Sequence, residues 1–452
     1  MKKIFYSVVL LFYITGFCFA QENAVTPASA LYEYIHNCDE TRAWEIREEY
    51  EINETKTYSL LLISQKWKGI LWKHELIIHV PKEIKQNGVL LFVEGGRVEN
   101  GIPAFTGKDS KTSQMMSIIA EENKAVVGIL RQVPNQPLYG GLNEDALISY
   151  TLGEFRKDGD YSWPLLFPMV KSVHRGMDCI REFAKEYLNQ DISGFVISGF
   201  SKRGWTTWLT GASQDPRVLA IAPMVIDMLN MPVSLDYQRK LYGEYSEEIG
   251  DYVKMDIPQA MHSDFGKAVV RMIDPYSYRR NLTLPKMIFM GTNDPYWTVD
   301  AVKHYLDSIP GVNFLHYVAN AGHGLGDKRQ ALEALSAFFS ITVNETAYPE
   351  YSWDIIAKKK QALLRVRFLP DSLVKAKLWT AYSSTRDFRQ SEWKEVALQP
   401  ETSKGTFEVE INYPKTGFMA FYVDLIYKNA SGDEYSVSTR IYMTDNKQIF
   451  ID

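Results

Sequence analysis

The sequence predicts an α/β protein, built as a doubly wound, mostly parallel sheet with a helical cap insertion and followed by a small all-β sandwich. Three observations carry this expectation. Short apolar runs of the buried-strand type alternate with amphipathic helical stretches up to about residue 345, which is the pattern of a parallel sheet covered on both faces. One long stretch, about 227–281, breaks the alternation with helical periods and no strand. Beyond about residue 344 the texture changes to short strands separated by turn residues, with no helical pattern among them. The expected organisation is therefore an α/β unit over 21–345 with a cap at about 227–281, then an Ig-like β-sandwich over 346–452.

Residues 1–20 read as an export signal. Lys2 and Lys3 give the basic end, Ile4 to Phe17 the apolar core, and Phe17-Cys18-Phe19-Ala20 ends in a small residue before Gln21. Cys18 raises the question of a lipid anchor, but the bulky Phe17 before it argues against one, so cleavage is expected after Ala20. The short basic-apolar form is bacterial, and the expected location is periplasmic or secreted. No later apolar run is long enough to span a bilayer. Losing this segment removes two lysines and no acids, so the net charge goes from −5 to −7, which does not favour a nucleic-acid role. With 46% hydrophobic and 23% charged residues, the chain has the balance of a soluble globular protein. Cys38 and Cys179 are too few for a disulfide scaffold, and Cys179, in a helical pattern, is expected as a buried free thiol. No spacing suggests a metal, and no cofactor is expected.

Along the chain, a short helix is expected over 30–35 and an antiparallel hairpin over 57–64 and 71–80. The apolar run Gly88 to Val93 is a buried strand, with Glu94-Gly95-Gly96-Arg97 directly after it. A helix over 113–122, a strand over 124–130 and a loop over 131–141 follow; that loop could form part of a pocket rim. An amphipathic helix over 163–188 leads into the apolar Phe195-Val196-Ile197. Further strands are expected over 218–225, 285–291 and 313–318, and a last helix over 328–341. In the C-terminal part, strands are expected over 363–369, 376–382, 393–398, 406–412, 418–427 and 435–443.

The chemistry centres on the turn after Phe195-Val196-Ile197. A buried strand, a sharp turn through Ser198-Gly199-Phe200-Ser201-Lys202-Arg203-Gly204 and then an aromatic-rich helix make the context of a nucleophile elbow, as in α/β-hydrolases. The usual G-x-S-x-G would need glycine at 203; here Arg203 stands there and the glycine comes one position later, at Gly204. Ser201 in such a turn could equally be a helix N-cap. Asp294, in Thr292-Asn293-Asp294-Pro295, and His323, in Gly322-His323-Gly324, each closely follow a core strand, in the chain order nucleophile, acid, base. These residue types answer a chemical need. A serine hydroxyl is too weak an acid to attack at neutral pH without an imidazole to take its proton, and a carboxylate must fix the imidazole. Asp294 could instead cap a turn and His323 could be a solvated loop histidine, but their joint placement favours the triad. Asp227, also after a core strand, competes with Asp294 for the acid role. The backbone N–H of Lys202 and those of the Gly95–Gly96 turn are the candidate oxyanion donors.

The stretch SGFSKRGWTTWLTGASQDPRVLAIAPMVIDMLNM resembles the hallmark segment of the PhoPQ-activated pathogenicity-related protein family. DPYSYR (from Asp274), GTNDPYW and NAGHGL are similar to that family's later motifs. The resemblance covers nearly the whole chain after the signal. It implies an exported α/β-hydrolase-type unit followed by a β-domain, with Ser201, Asp294 and His323 at its triad positions, and it implies no settled substrate.

The favoured expectation is an exported serine hydrolase that cleaves an ester or peptide bond through an acyl-enzyme, acting on a small-molecule or peptide substrate. The aromatic-rich cap hints at a bulky apolar or peptidic one. The competing expectation is a non-catalytic binding or signalling protein on a hydrolase scaffold, with Arg203 crowding the elbow. A glycan ester, with the β-domain facing carbohydrate, is a third. Arg97 or Arg203 could pair with a substrate carboxylate if either entered the cleft; a structural ion pair is the favoured role for both.

Overall fold

The apolar runs fold into one continuous sheet. The computed structural model describes residues 24–429 and 431–451, and among them 15 strands share this sheet. The expected export signal, 1–20, lies outside the described residues. At the centre six parallel strands lie side by side in the order Val127–Leu130, Gly88–Val93, Gly194–Phe200, Val218–Met224, Lys286–Gly291 and Asn313–Val318. Val127–Leu130 sits outside Gly88–Val93 although it comes later in the chain, so the connection crosses over and carries the helix Lys111–Asn123. The pleat sends alternate side chains to opposite faces. Leu91 and Val93 join the core beneath the helices Leu166–Phe183 and Lys202–Ala212; Leu90 and Phe92 join the one beneath Lys111–Asn123 and Arg329–Val343.

Three antiparallel strands, Ala43–Ile52, Thr55–Trp67 and Ile70–Val80, extend one end of the sheet. The hairpin is longer than expected, and the strand Ala43–Ile52 was not expected. It is an edge strand whose outward positions are mostly glutamates, so its apolar content is too low to read as a buried run. The helix Glu144–Asp158 and the strand Tyr351–Ala357 are also additional to the expected elements. As expected, 227–281 forms helices, Met231–Tyr242, Gly250–Lys254 and Asp264–Ile273 among them, which stand over the strand ends.

At the other end Glu434–Ser438 pairs antiparallel with Asn313–Val318, and Phe418–Lys428, Lys375–Ser383 and Lys394–Leu398 continue the same sheet. A second sheet of Tyr351–Ala357, Gln361–Phe368 and Thr406–Asn412 packs on it to give a sandwich-like region. Leu364, Val366 and Val409 share one core with Phe421, Val423 and Leu425, and this core runs on to Leu335 and Phe338 of the last helix. The strand expected over 435–443 is two, Glu434–Ser438 and Tyr442–Thr444.

Cys38 and Cys179 are both free; Cys179 is buried, and burial raises its thiol pKa, whereas Cys38 is exposed. Among the described residues no helix is long and apolar enough to cross a membrane, and no cluster of His, Cys, Asp and Glu could hold a metal ion.

Candidate active site

The elbow is held by close packing at two glycines. A Cβ on Gly199 would lie 2.8 Å from Val93 O, and one on Gly204 would lie 2.6 Å from Met224 O. The helix Lys202–Ala212 can therefore rest directly on the strand ends. The close approach falls at residue 204, which is why glycine is needed there and not at 203. Ser201 between them has φ 56° and ψ −120°, a conformation that costs a non-glycine residue about 1–3 kcal/mol. Its N–H donates to Met224 O at 2.9 Å, and its carbonyl accepts from Trp205 N at 2.9 Å.

Arg203 does not block the turn. Its guanidinium makes a bidentate pair with Glu144 at 2.6 and 2.7 Å, and its Nε donates to Val133 O. Burial alone would raise the Glu144 carboxyl pKa; the hydrogen bonds and charge of Arg203 outweigh burial and hold it below its ordinary value. The guanidinium lies against Gly95, where a Cβ would come within 2.7 Å of Nη2. Arg203 thus backs the turn that follows the strand Gly88–Val93. The loop 131–141, expected as a pocket rim, backs the same turn: Gln132 N donates to Gly95 O at 3.0 Å and Val133 N to Glu94 O at 3.1 Å. Gly96, at φ +147°, faces Gln132, and Arg97 is exposed.

Ser201, Asp294 and His323 meet at the carboxyl ends of three strands. His323 Nε2 lies 2.8 Å from Ser201 Oγ and His323 Nδ1 lies 2.8 Å from Asp294 Oδ2. The other carboxylate oxygen, Asp294 Oδ1, accepts from Tyr296 N at 2.9 Å, so the carboxylate is fixed from both sides. The Tyr296 ring stacks on the imidazole with centroids 4.1 Å apart. An imidazole held in this way can take a serine proton and return it to a leaving atom. Asp227 lies apart from His323: it accepts from Tyr305 Oη at 2.6 Å, and it is fully buried. Burial, together with the charges of Asp294 and Asp300, pushes its carboxyl up to about 7 against the Tyr305 hydrogen bond.

Two cavities open on Ser201. One, of about 280 Å³, is lined by Gly95, Thr112, Lys328 and His323. The other, of about 50 Å³, runs under the cap past Lys202, Trp205, Met231, Leu235 and Met261. Lys202, the first residue of its helix, offers its N–H at the helix start, where no intrahelical acceptor exists.

A family described as PhoPQ-activated pathogenicity-related protein matches residues 31–389. The chain belongs to this family. A relative of this PhoPQ-related chain, autocrine proliferation repressor protein A of Dictyostelium discoideum, is 29% identical over 447 residues, spanning 91% of this chain and 89% of that protein. Among solved structures, acetyl xylan esterase 1 from Thermoanaerobacterium sp. superposes with a TM-score of 0.47 at 14% identity, over 70% of this chain and 94% of that one. An S-formylglutathione hydrolase from Agrobacterium tumefaciens gives 0.44 at 12% identity, over 66% and 99%. The central sheet order and the elbow make the PhoPQ-related chain an α/β-hydrolase-type fold.

The structural ion pair expected for Arg203 is present; the sequence does not reveal its partner, Glu144, 59 residues away. Sequence reasoning missed two elements of this site. Tyr296 stands two residues after Asp294, and that spacing was the available signal. The asparagines Asn293 and Asn320 carried none; each is bound to a loop about a hundred or fewer residues further on.

Proposed function

We propose that this PhoPQ-related chain is an exported serine hydrolase that cleaves an ester or peptide bond through an acyl-enzyme. The observation that carries the reading is the hydrogen-bonded chain from Ser201 Oγ through His323 to Asp294, with each step at 2.8 Å. Ser201 Oγ attacks the substrate carbonyl carbon as His323 Nε2 takes its proton, and Asp294 stabilises the imidazolium. The N–H groups of Lys202 and of the Gly95–Gly96 turn hold the oxyanion. The bond to the leaving atom breaks as His323 returns the proton to it. Water, deprotonated by the same imidazole, then attacks the acyl carbon and frees Ser201 Oγ, which regains its proton. The export signal would be removed after Ala20, and N-terminal sequencing of the exported protein is expected to begin at Gln21.

The test is labelling of residues 21–452 by an active-site-directed fluorophosphonate, beside Ser201→Ala and His323→Ala. Labelling of the wild type and its loss in both variants is the expected result. A second reading, a binding protein on a hydrolase scaffold, draws on the name of the Dictyostelium relative, a proliferation repressor. A folded wild type that takes no label decides for it.

A further inference from the structure

The two cavities at Ser201 differ in what they can receive. The leaving atom must accept its proton from His323 Nε2, so the leaving group lies in the cavity that His323 lines. That cavity is the wider one, at about 280 Å³, with Glu94, Thr112 and Lys328 on its wall. The acyl group must then enter the other, which Ser201 and Lys202 line and His323 does not. This second cavity is a slot of about 50 Å³, room for on the order of four waters, which suits a chain and excludes a bulky ring system.

The sides of the slot are apolar, and its polar groups are paired among themselves or with backbone. Met228, Met231, Leu235, Ile257 and Met261 make its sides. Each polar group on it already has a partner. Lys202 Nζ sits 2.5 Å from Asp145 Oδ2, and Tyr252 Oη donates to Asp145 Oδ1 at 2.9 Å. Tyr296 Oη donates to Asp145 Oδ2 at 3.5 Å. Burial, and then the Asp145 charge, raise both phenol pKa values, so both remain donors. Trp205 Nε1 donates to Ile273 O at 2.6 Å, and Trp297 Nε1 to Val225 O at 3.4 Å. The two charged groups on the wall, Asp145 and Lys202, are paired with each other, so a peptide backbone or an α-ammonium group entering the slot would give up its water and have to compete with that pair, which is costly.

We infer, on the basis of the serine-hydrolase reading, that the substrates are carboxylic esters whose acyl group is neutral, unbranched and apolar. The acyl chain lies under the cap between Trp205 and Met261, and a polar alcohol leaves past His323. The step is an ordinary ester hydrolysis: the acyl carbon passes from the alcohol oxygen to Ser201 Oγ and then to water, and His323 carries the proton each time.

The experiment measures kcat/KM of the mature chain for the p-nitrophenyl esters of acetate, butyrate, hexanoate and norleucine. The expected result is a rise of roughly fourfold per methylene from acetate to butyrate, continuing until the chain fills the slot. The norleucine ester, which adds an α-ammonium group to the hexanoate chain, is expected at least tenfold below hexanoate. Met261→Trp, which narrows the slot, is expected to lower the hexanoate-to-acetate ratio, and Met261→Ala to raise it. Should either variant fail to fold, the wild-type series stands alone. A flat chain-length profile, or a preference for norleucine, in a protein that still takes the fluorophosphonate at Ser201 overturns the inference and leaves the hydrolase reading intact. A protein that neither takes the label nor turns over any ester fails the underlying reading, and the inference falls with it.

Discussion

The loop that holds Ser201 and the two loops that hold Asp294 and His323 meet at one point, but they are secured in different ways. The serine turn is secured locally: Gly199 and Gly204 let the strand and helix close on it, and its backbone bonds go to Met224 and Trp205. The loops of Asp294 and His323 rest on a distant segment. Asn293 Nδ2 reaches the carbonyls of Phe388, Arg389 and Ser391 at 3.4, 3.2 and 2.7 Å. Asn320 makes a two-way pair with the Trp393 backbone, at 2.9 Å to its O and 2.7 Å from its N. Thr292 ties the two loops together, donating to Asn293 Oδ1 at 2.8 Å and accepting from Asn320 N at 2.9 Å. The loop that makes these bonds joins two strands of the C-terminal region, and the Arg389 guanidinium also sits 4.1 Å from the Tyr242 ring in the cap. The Ser201 turn is thus held within the α/β sheet, while the loops of Asp294 and His323 are bonded to the β-region. We propose that 346–452 serves to position Asp294 and His323 against Ser201.

The largest expected effect is at the proposed reacting groups. Ser201→Ala should lower kcat for ester hydrolysis by on the order of 10⁶, and Asp294→Asn by on the order of 10⁴. Asp227→Asn should stay within about tenfold, because its partner is Tyr305 and not His323. A loss at Asp227 as large as at Asp294 would reverse the assignment of the acid. Next come the latches. Asn293→Ala and Asn320→Ala should lower kcat by about 10- to 100-fold with little change in KM, since a displaced imidazole spoils geometry more than binding. Stopped-flow acylation with p-nitrophenyl butyrate measures this, and an unchanged kcat in folded variants would show that the β-region merely abuts the site. Smaller again is Gly204→Ala, whose new methyl meets Met224 O. It should cost about 1–3 kcal/mol of stability in urea titrations.

The same contrast explains what could be read from the sequence. The central strands are legible because they are buried on both faces and so appear as unbroken apolar runs. The positions of Ser201, Asp294 and His323 are legible because a parallel sheet brings every strand's carboxyl end to one edge, so local context is enough to predict that they meet. The latch leaves no such trace. Asn293 and Ser391 are 98 residues apart and Asn320 and Trp393 are 73 apart, and a side-chain bond to a backbone group places no demand on the identity of the residue that owns it. The Arg203–Glu144 pair is hidden likewise: Glu144 opens a helix whose polar first turn, Glu144-Asp145, reads as ordinary solvated charge. The edge strand Ala43–Ile52 alternates correctly but places glutamates outward, and a shift in pairing between Ile46 and Glu48 interrupts its period.

The two ends of the sheet should also respond oppositely to pH. Near the start of the sheet His74 and His79 are buried, and loss of hydration pushes them down to about 4 and about 3. They are neutral in the folded chain and take up protons on unfolding, so their contribution is whole above the ordinary histidine value of 6.5 and is lost as the pH falls towards 4. At the far end Asp424 is buried beneath Ser438 and Trp379, which donate to it at 2.6 and 2.8 Å. Burial dominates and pushes its carboxyl up to about 7. That group holds a proton in the folded chain which the unfolded chain has released. Its contribution is whole below the ordinary value of 3.8 and is lost as the pH rises through 7. Asp424→Asn is fixed in the neutral form, so its stability relative to wild type should improve between pH 5 and pH 6, by at most about 1.4 kcal/mol per unit. Urea titrations of both proteins at the two pH values measure the difference. A relative stability that is flat, or that worsens on going to pH 6, would mean that Ser438 and Trp379 hold Asp424 as a carboxylate despite its burial.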